Sequence, residues 1–499
     1  MVQRQRASNT QRTMLWYDLE TFGAVPPSSR PAQFAAIRTT EELVSTGEQE
    51  VLYCRPDEDL VPAPAACLVT GLVPQDCRDG VPEPEFFRLI NMMMLQGGTC
   101  SVGYNSIRFD DEFVRHGFWR NFIDPYGREW GDGRTRWDLL DVSRAMHAFR
   151  WQGVDWPVAD DGRPSFKLEM LCAANGIEHE DAHDALSDVR ATIDLARLYR
   201  GLQPKMFKYL FDLRHANEVM KVLDESSTGP VLHTSGRIPS ELGCTSPVVV
   251  LSRHPSQKNK YIVMDLRHDP SEVLDLDAEE LNDRLFSTRD ELNAMGLERP
   301  PIKEIHLKRS PIVLPWSCMR IEGVDQRLQI DPGRVLEHWE KAQTNMKRLA
   351  SMVTDAYSVG FPDHERDPET DLYGGFLQDT DRKLVARVPR TPPAELDSLA
   401  GEFLDGRLAE LMFRYRARNH RETLSEDESR LWTRQVAERL CSKDRHGVSQ
   451  LDRFRDELEH HRQSADEEGQ QVLDSVEQWV ADVCSRFTEQ AGSDHTMPG

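Results

Sequence analysis

From residue 13 to about 202, short apolar runs alternate with longer amphipathic ones. "TMLWYDLE" and "CSVGYN" read as strands, and "DDEFVRHGFWRNF" and "LSDVRATIDLARLYRGL" read as helices, an alternation that predicts an α/β domain. From 203 to 355 the texture changes. "SPVVVLSRHPSQKNKYIVMDLR" predicts two strands joined by a polar hairpin loop, and "IKEIHLKRSPIVL" one more, giving a small β-rich domain with inserted helices. Residues 356–370, "AYSVGFPDHERDPET", predict a connector, and the chain beyond is mostly helical. In "EFLDGRLAELMFRYRARNHR", Leu404, Leu408, Leu411 and Tyr415 mark one apolar face, and Arg414, Arg418 and Arg421 lie along another. Residues 1–12 and 491–499 are polar and read as disordered.

A chain of 499 residues is too long for one core, so two or three domains are expected. The net charge of −23 argues against a generally sticky nucleic-acid binder, though not against a local basic track. Nine scattered cysteines without a CxxC pair point to a reducing cytoplasm and no structural zinc. The N-terminus is not a secretory signal, and no long apolar run exists to span a membrane, so a cytoplasmic protein is expected.

In "WYDLETFG", residues 16 to 23, Asp18 and Glu20 stand two apart in an apolar stretch. With so many acids in the chain, about 14 such pairs are expected by chance, so context decides. On a strand, positions i and i+2 share a face roughly 6.5 Å apart, while Leu15, Tyr17 and Leu19 point the other way, into the core. Two carboxylates so placed can face a pair of divalent ions about 3.5–4 Å apart, whose charge removes the repulsion. Further ligands are on offer. In "GYNSIRFDDEFVR" a strand end leads into a helix with Asp110 in its first turn, where an acid equally suits the helix N-terminus. In "DAHDALSDVRATIDL", Leu186, Val189 and Ile193 make a buried stripe, Asp188 sits on its flank, and Asp184 stands at the cap position. Within one helix, His183 and Asp188 would point about 140° apart; with His183 in the entering loop, both reach one site.

Asp-x-Glu on a first strand, then Asp110, then His183 and Asp188 in H-x4-D spacing resemble the proofreading-type 3′→5′ exonuclease superfamily, in its histidine-bearing branch. The stretches "YDLETFG", "RPAQFAAIRT", "GYNSIRFDDE", "RWDLLDV", "ANGIEH", "AHDALSDV", "QPKMFKYLF" and "FRYRARN" are similar to the bacterial exonuclease I family, from residue 17 to about 419. The resemblance implies an α/β ribonuclease H-like exonuclease domain at 13–202, an SH3-like domain at 203–355 and a helical C-terminal domain at 356–490. It implies that Asp18, Glu20, Asp110 and Asp188 hold two Mg²⁺ ions, for which Mn²⁺ substitutes. One ion would lower the pKa of the attacking water and the other stabilise the departing 3′ oxygen, with His183 as general base. The implied activity is stepwise degradation of single-stranded DNA from its 3′ end to nucleoside 5′-monophosphates, by a monomer, in DNA repair and recombination.

An acidic enzyme needs a cationic and aromatic track for a single strand. Arg115, Tyr126, Trp130 and Arg144 match positions the family uses, and Lys167 stands where the family has arginine, keeping the charge without the bidentate fork. Glu20, Thr21 and Phe22 are expected against the terminal nucleotide. Lys303 would continue the track, with Lys258 and Lys260 as weaker candidates. The resemblance also implies docking of the acidic, phenylalanine-ended tail of single-stranded DNA-binding protein on Arg150, Tyr209, Arg320 and Leu336. By the same resemblance Pro315 and Pro332 stand where the family has polar or basic residues, and Arg334 would substitute for a displaced cation. Two other readings stay open: a 3′ RNA-trimming exonuclease, and a silent scaffold that binds single strands.

Overall fold

The computed structural model describes residues 12–179, 183–359, 367–444 and 447–493. Ten strands among the described residues form two five-stranded sheets. The first is built from β1 (Thr13–Thr21), β2 (Pro31–Thr40), β3 (Ser45–Tyr53), β4 (Thr99–Gly103) and β5 (Thr135–Asp138), in the order β3-β2-β1-β4-β5. β1 pairs antiparallel with β2 and parallel with β4, so it is central and buried on both faces. This explains its near-continuous apolar start. Leu15, Tyr17 and Leu19 enter a core with Phe34, Phe86, Phe87 and Phe113, and Met14 and Trp16 enter another on the opposite side. Asp18 and Glu20 follow Trp16 on that second face, where the strand runs out to the sheet end.

The helices Asp110–Arg120 and Ala185–Leu202 flank this sheet. The first lies so close to its neighbour that a Cβ at Gly117 would meet the Phe87 ring at 1.9 Å, so only glycine fits. The second packs across β1 and β2.

The second sheet is antiparallel: β6 (Val231–Thr234), β7 (Thr245–Arg253), β8 (Lys260–Asp265), β9 (Ile302–His306) and β10 (Ile312–Pro315), in the order β10-β6-β7-β8-β9. The stretch "IKEIHLKRSPIVL", expected to give one strand, gives two. A turn with Ser310 in the left-handed region (φ 47°) breaks it, and β10 crosses to the far edge to pair with β6.

Apolar clusters ignore the expected domain divisions. One core runs from Trp16 and Trp137 through Val248 and Ile262 to Met352. Two others join the exonuclease sheet region to the C-terminal helices, one around Phe22, Leu60, Trp432 and Phe487, the other around Trp119, Phe122, Leu408 and Met412. Leu408 and Leu411 are buried as expected, but Leu404 is 64% exposed. The helix starts at Gly406, capped by Asp405, so Leu404 lies outside its periodicity. The last helix, Glu467–Ser493, runs into the segment expected to be disordered. Residues 1–11, 360–366 of the connector and 494–499 lie outside the described residues. No helix among the described residues is long and apolar enough to cross a membrane.

Candidate active site

β1 and the N-terminal turns of two helices bring four acids and a histidine to one end of the first sheet. Asp18 pairs with the small Ala35 across the β1–β2 ladder, and Glu20 pairs with Gln33. Asp110 opens its helix, and its Oδ1 accepts the Leu19 N–H of β1 at 3.1 Å. Asp184 caps the Ala185–Leu202 helix, accepting the Ser187 N–H at 3.1 Å. That leaves Asp188 one turn in and His183 just before the helix. His183 is exposed, with a left-handed backbone (φ 69°), a conformation costly for a non-glycine residue and found disproportionately at functional sites. Glu20, His183 and Asp188 each offer a ligand atom within 4.8 Å of the others.

The electrostatics follow from this crowding. Burial, then the charges of Asp188 and Asp184, raise the Asp18 carboxyl to about 8. Burial, then Asp18 and Asp188, raise Glu20 to about 9. Burial and Asp18 push Asp110 well above the carboxylate range. Asp188 is raised by burial, against the pull of a hydrogen bond from His179. Carboxyls that resist ionisation in one another's company suit a site completed by divalent cations.

The expected strand contacts are placed unevenly. Arg115 is buried, bonded to Glu129 Oε1 at 2.7 Å and Glu112 Oε1 at 2.5 Å, with its guanidinium 5.8 Å from the Tyr126 ring centroid. Arg144 bonds Asp141 at 2.6 Å, and Lys303 bonds Asp265 at 2.8 Å. Lys167 is exposed, 3.6 Å from Glu169. Trp130 is 60% exposed, an indole offered to solvent rather than the partly core residue its type favours. Thr21 is buried and donates to the Gly23 carbonyl at 2.9 Å. Phe22, expected against the terminal nucleotide, is 2% exposed and lies in the apolar cluster of Leu60 and Cys67, at the seam to the C-terminal helices. Lys258 is exposed, and Lys260 bonds Glu304 at 2.7 Å.

Of the expected tail-docking residues, Arg150 and Tyr209 line one cleft of about 410 Å³ with Lys205, Met206, Leu314, Pro315 and Cys318. Arg320 and Leu336 are exposed but are not among the residues lining that cleft.

Several residues of the site went unassigned in the sequence. Gln33 is buried and bonds Asp184. His179 bonds Asp188. Asp111, beside Asp110, is turned away from the acids and gripped by the Tyr17 hydroxyl, by Arg128 at 2.6 Å and by Arg136 at 2.5 Å. Tyr373, from the C-terminal region, donates to Glu112 at 2.5 Å beside Arg115. Gln33 and His179 fall within "RPAQFAAIRT" and "ANGIEH", but their partners depend on tertiary register, which spacing does not carry.

Three family models cover most of the chain: an exonuclease over residues 15–196, the exonuclease I SH3-like domain over 214–359, and the exonuclease I C-terminal domain over 366–483. Exodeoxyribonuclease I of Escherichia coli (strain K12) is 41% identical over 424 residues, 85% of this chain and 88% of that one. A solved exonuclease I from Methylocaldum szegediense matches with a TM-score of 0.87 at 40% identity, over 95% of this chain and 99% of that one. E. coli exonuclease I in complex with a dA16 oligonucleotide matches at 0.87 and 38% identity, over 95% and 100%. An SSB/exonuclease I structure with the inhibitor CFAM matches at 0.85 and 37% identity, over 95% and 100%. With its α/β exonuclease domain, SH3-like domain and helical C-terminal domain, the chain belongs to the exonuclease I family.

Proposed function

We propose that this protein removes nucleoside 5′-monophosphates from the 3′ end of single-stranded DNA, as a monomer, with two Mg²⁺ ions held by Asp18, Glu20, Asp110 and Asp188. The observation that carries this reading is the convergence of Glu20, His183 and Asp188 within 4.8 Å, beside Asp18 and Asp110, in a chain of the exonuclease I family. A donor set rich in carboxylate oxygens fits a hard dication such as Mg²⁺. When bound, such ions supply charge neutralisation and Lewis-acid polarisation of the phosphodiester. His183, exposed at the site, takes the proton of the attacking water, a task suited to imidazole near neutral pH. The Asp110–Leu19 hydrogen bond ties the helix-borne acid to the strand that carries the other two.

Arg115, Arg144, Lys167 and Lys303 meet the phosphates, Tyr126 and Trp130 offer rings to the bases, and Thr21 abuts the terminal nucleotide. Arg115, Arg144 and Lys303 already hold carboxylate partners, so strand binding exchanges or shares those partners with phosphate. The oligonucleotide complex of the E. coli relative supports the substrate. The SSB/exonuclease I structure of a relative supports binding of a single-stranded DNA-binding protein, whose tail would dock at the Arg150–Tyr209 cleft.

The test is incubation of the full chain with 3′-labelled DNA and RNA single strands, with Mg²⁺ and with a chelator. DNA should shorten only with the cation. Asp18→Ala and Asp188→Ala should nearly abolish cleavage while strand binding survives, and His183→Ala should slow turnover by roughly 10²–10⁴-fold. Equal or faster loss of RNA would favour the RNA-trimming reading. Wild-type turnover in Asp188→Ala would sink the two-ion site.

A further inference from the structure

We propose that His179 is a positioning residue that fixes the carboxylate of Asp188 for metal binding. The inference rests on the two-cation reading above. His179 Nε2 lies 2.5 Å from Asp188 Oδ1. The two come from different segments: Asp188 from the first turn of the Ala185–Leu202 helix, His179 from the chain after the Leu168–Ala174 helix. The imidazole is the less accessible partner, at 6% side-chain exposure against 17% for Asp188. It therefore contributes little to solvent or to substrate, and its polar edge is spent on one carboxylate oxygen.

Asp188 needs such a partner. Its carboxylate sits among Asp18 and Glu20, which repel it. A carboxylate on two rotatable bonds, left without a donor, relieves that repulsion by turning away. Metal binding requires Asp188 ionised, and an ionised carboxylate can only accept, so Nε2 then carries the hydrogen. With one lone pair of Oδ1 engaged, the carboxylate is held in one orientation and its remaining lone pairs stay available to an ion. Among the described residues, Glu20, His183 and Asp188 form a group whose ligand atoms lie within 4.8 Å of one another, and His179 is not in that group. Its nitrogen serves the ligand rather than the ion. The division of labour between the two histidines is therefore distinct: His183 faces the reaction, and His179 holds a wall of the site. Partners that hydrogen-bond to metal ligands in this way typically account for 10–100-fold in metal affinity or activity.

The experiment uses the full chain and three variants. His179→Leu keeps a buried apolar volume and removes the donor. His179→Gln keeps an N–H donor on a side chain of similar reach. Asp188→Ala removes the ligand. Mn²⁺ binding to the DNA-free protein is measured by titration calorimetry, the Mg²⁺ half-activation concentration at saturating single strand, and strand affinity in chelator. His179→Leu should weaken Mn²⁺ binding and raise the Mg²⁺ half-activation concentration by about 10–100-fold, with strand affinity in chelator within twofold of wild type and substantial recovery in His179→Gln. Wild-type metal affinity in His179→Leu would overturn the proposal. So would a loss of strand affinity and melting temperature in both histidine variants alike, which would make the residue a packing element. Wild-type turnover in Asp188→Ala would instead remove the two-cation reading itself, so the two failures are distinguishable.

Discussion

Gln33 stands opposite Glu20 in the β1–β2 register, and its side-chain amide bridges to the helix that carries Asp188. Its Nε2 donates to Asp184 Oδ1 at 3.1 Å and to the Tyr53 hydroxyl at 3.0 Å, and its Oε1 accepts the Ala185 N–H at 3.1 Å. One buried amide thus sets the distance between the strand acids and the loop end that presents His183. Gln33→Ala should cost about 1–3 kcal/mol of stability, through a backbone N–H and a carboxylate oxygen left short of partners. Misplacement of His183 should also lower kcat by about 10–100-fold with KM for single strand little changed. Thermal melting and steady-state kinetics check both; an unchanged kcat would reduce Gln33 to a packing residue.

The raised acids make a pH prediction with a definite sign. Asp18 at about 8 and Glu20 at about 9 hold protons in the metal-free fold that the unfolded chain has already released above about pH 4. The folded state binds more protons than the unfolded one across that window, so the metal-free protein loses stability as pH rises from about 4 to about 9. Divalent cations bind the ionised acids, so the stabilisation conferred by Mg²⁺ should grow over the same range. Melting curves in chelator and in Mg²⁺ from pH 5 to 9 should diverge upward, and Asp18→Asn should flatten the chelator series. Parallel curves would mean that these carboxyls do not govern ion binding.

The acid pair was legible because a strand has period two and a central strand has no apolar reason to carry charges on a buried face. Asp110 and Asp188 were legible as acids in first helical turns, and Asp184 as a cap. The left-handed backbone of His183 was not, because spacing fixes position along the chain and not φ. The burial of Phe22 was not legible either, because the C-terminal helices that cover it come from the far end of the chain. Domain textures were visible, but the shared cores were not: apolar residues at a seam have the same pattern as apolar residues in a domain interior. The Glu129 partner of Arg115 and the Asp265 partner of Lys303 lay equally beyond reach, since packing between separate elements chooses the acid, whereas Glu112–Arg115 and Asp141–Arg144 are i,i+3 pairs that helical spacing carries.

Arg418 is the centre of the seam between the first sheet's domain and the C-terminal helices. It is almost wholly buried, bonded to Asp59 Oδ2 at 2.9 Å and to Glu369, while Arg439 reaches Asp59 at 2.5 Å and Arg30 reaches Glu369 at 3.4 Å. Burial opposes ionisation of Asp59 and Glu369, but Arg418 outweighs it, with Arg439 helping at Asp59 and Arg30 at Glu369, and both carboxyls are held below their usual range. Arg418→Ala should destabilise the chain by about 3–5 kcal/mol, because two buried carboxylates lose their main partner. Depressed carboxyls contribute stability above about pH 4 that is lost as pH falls, so the variant should also lose part of the wild type's acid sensitivity. Denaturant titrations at pH 7 and at about pH 3, below the unfolded carboxyl range, measure both effects. A cost under about 1 kcal/mol, the range of a solvated surface pair, would contradict the seam assignment.

The cleft of Arg150 and Tyr209 sorts the expected tail-docking residues by their physical situation. The Tyr209 hydroxyl donates to the Val313 carbonyl at 2.9 Å, so the ring is a fixed wall, and Met206, Leu314 and Pro315 supply apolar surface suited to a terminal phenylalanine. Arg150 and Lys205, lining the same cleft, supply the cations for carboxylates. Arg320 ends the Trp316–Arg320 turn, beyond the cleft-lining Cys318, and is exposed. Pro332 opens a helix capped by Asp331, whose Oδ1 accepts the Gly333 and Arg334 N–H groups, so its place is set by helix initiation. Arg150→Ala should therefore weaken binding of an acidic, phenylalanine-ended peptide by about 10–100-fold, the worth of a charge-assisted hydrogen bond. Arg320→Ala should weaken it by no more than about fivefold, as for a solvated pair. Both effects should shrink at high salt, Arg320 first. Anisotropy titrations of a labelled peptide against wild type and the two variants give the ranking. A larger loss from Arg320→Ala than from Arg150→Ala would move the docking surface out of the cleft, and no binding to wild type at low salt would remove it altogether.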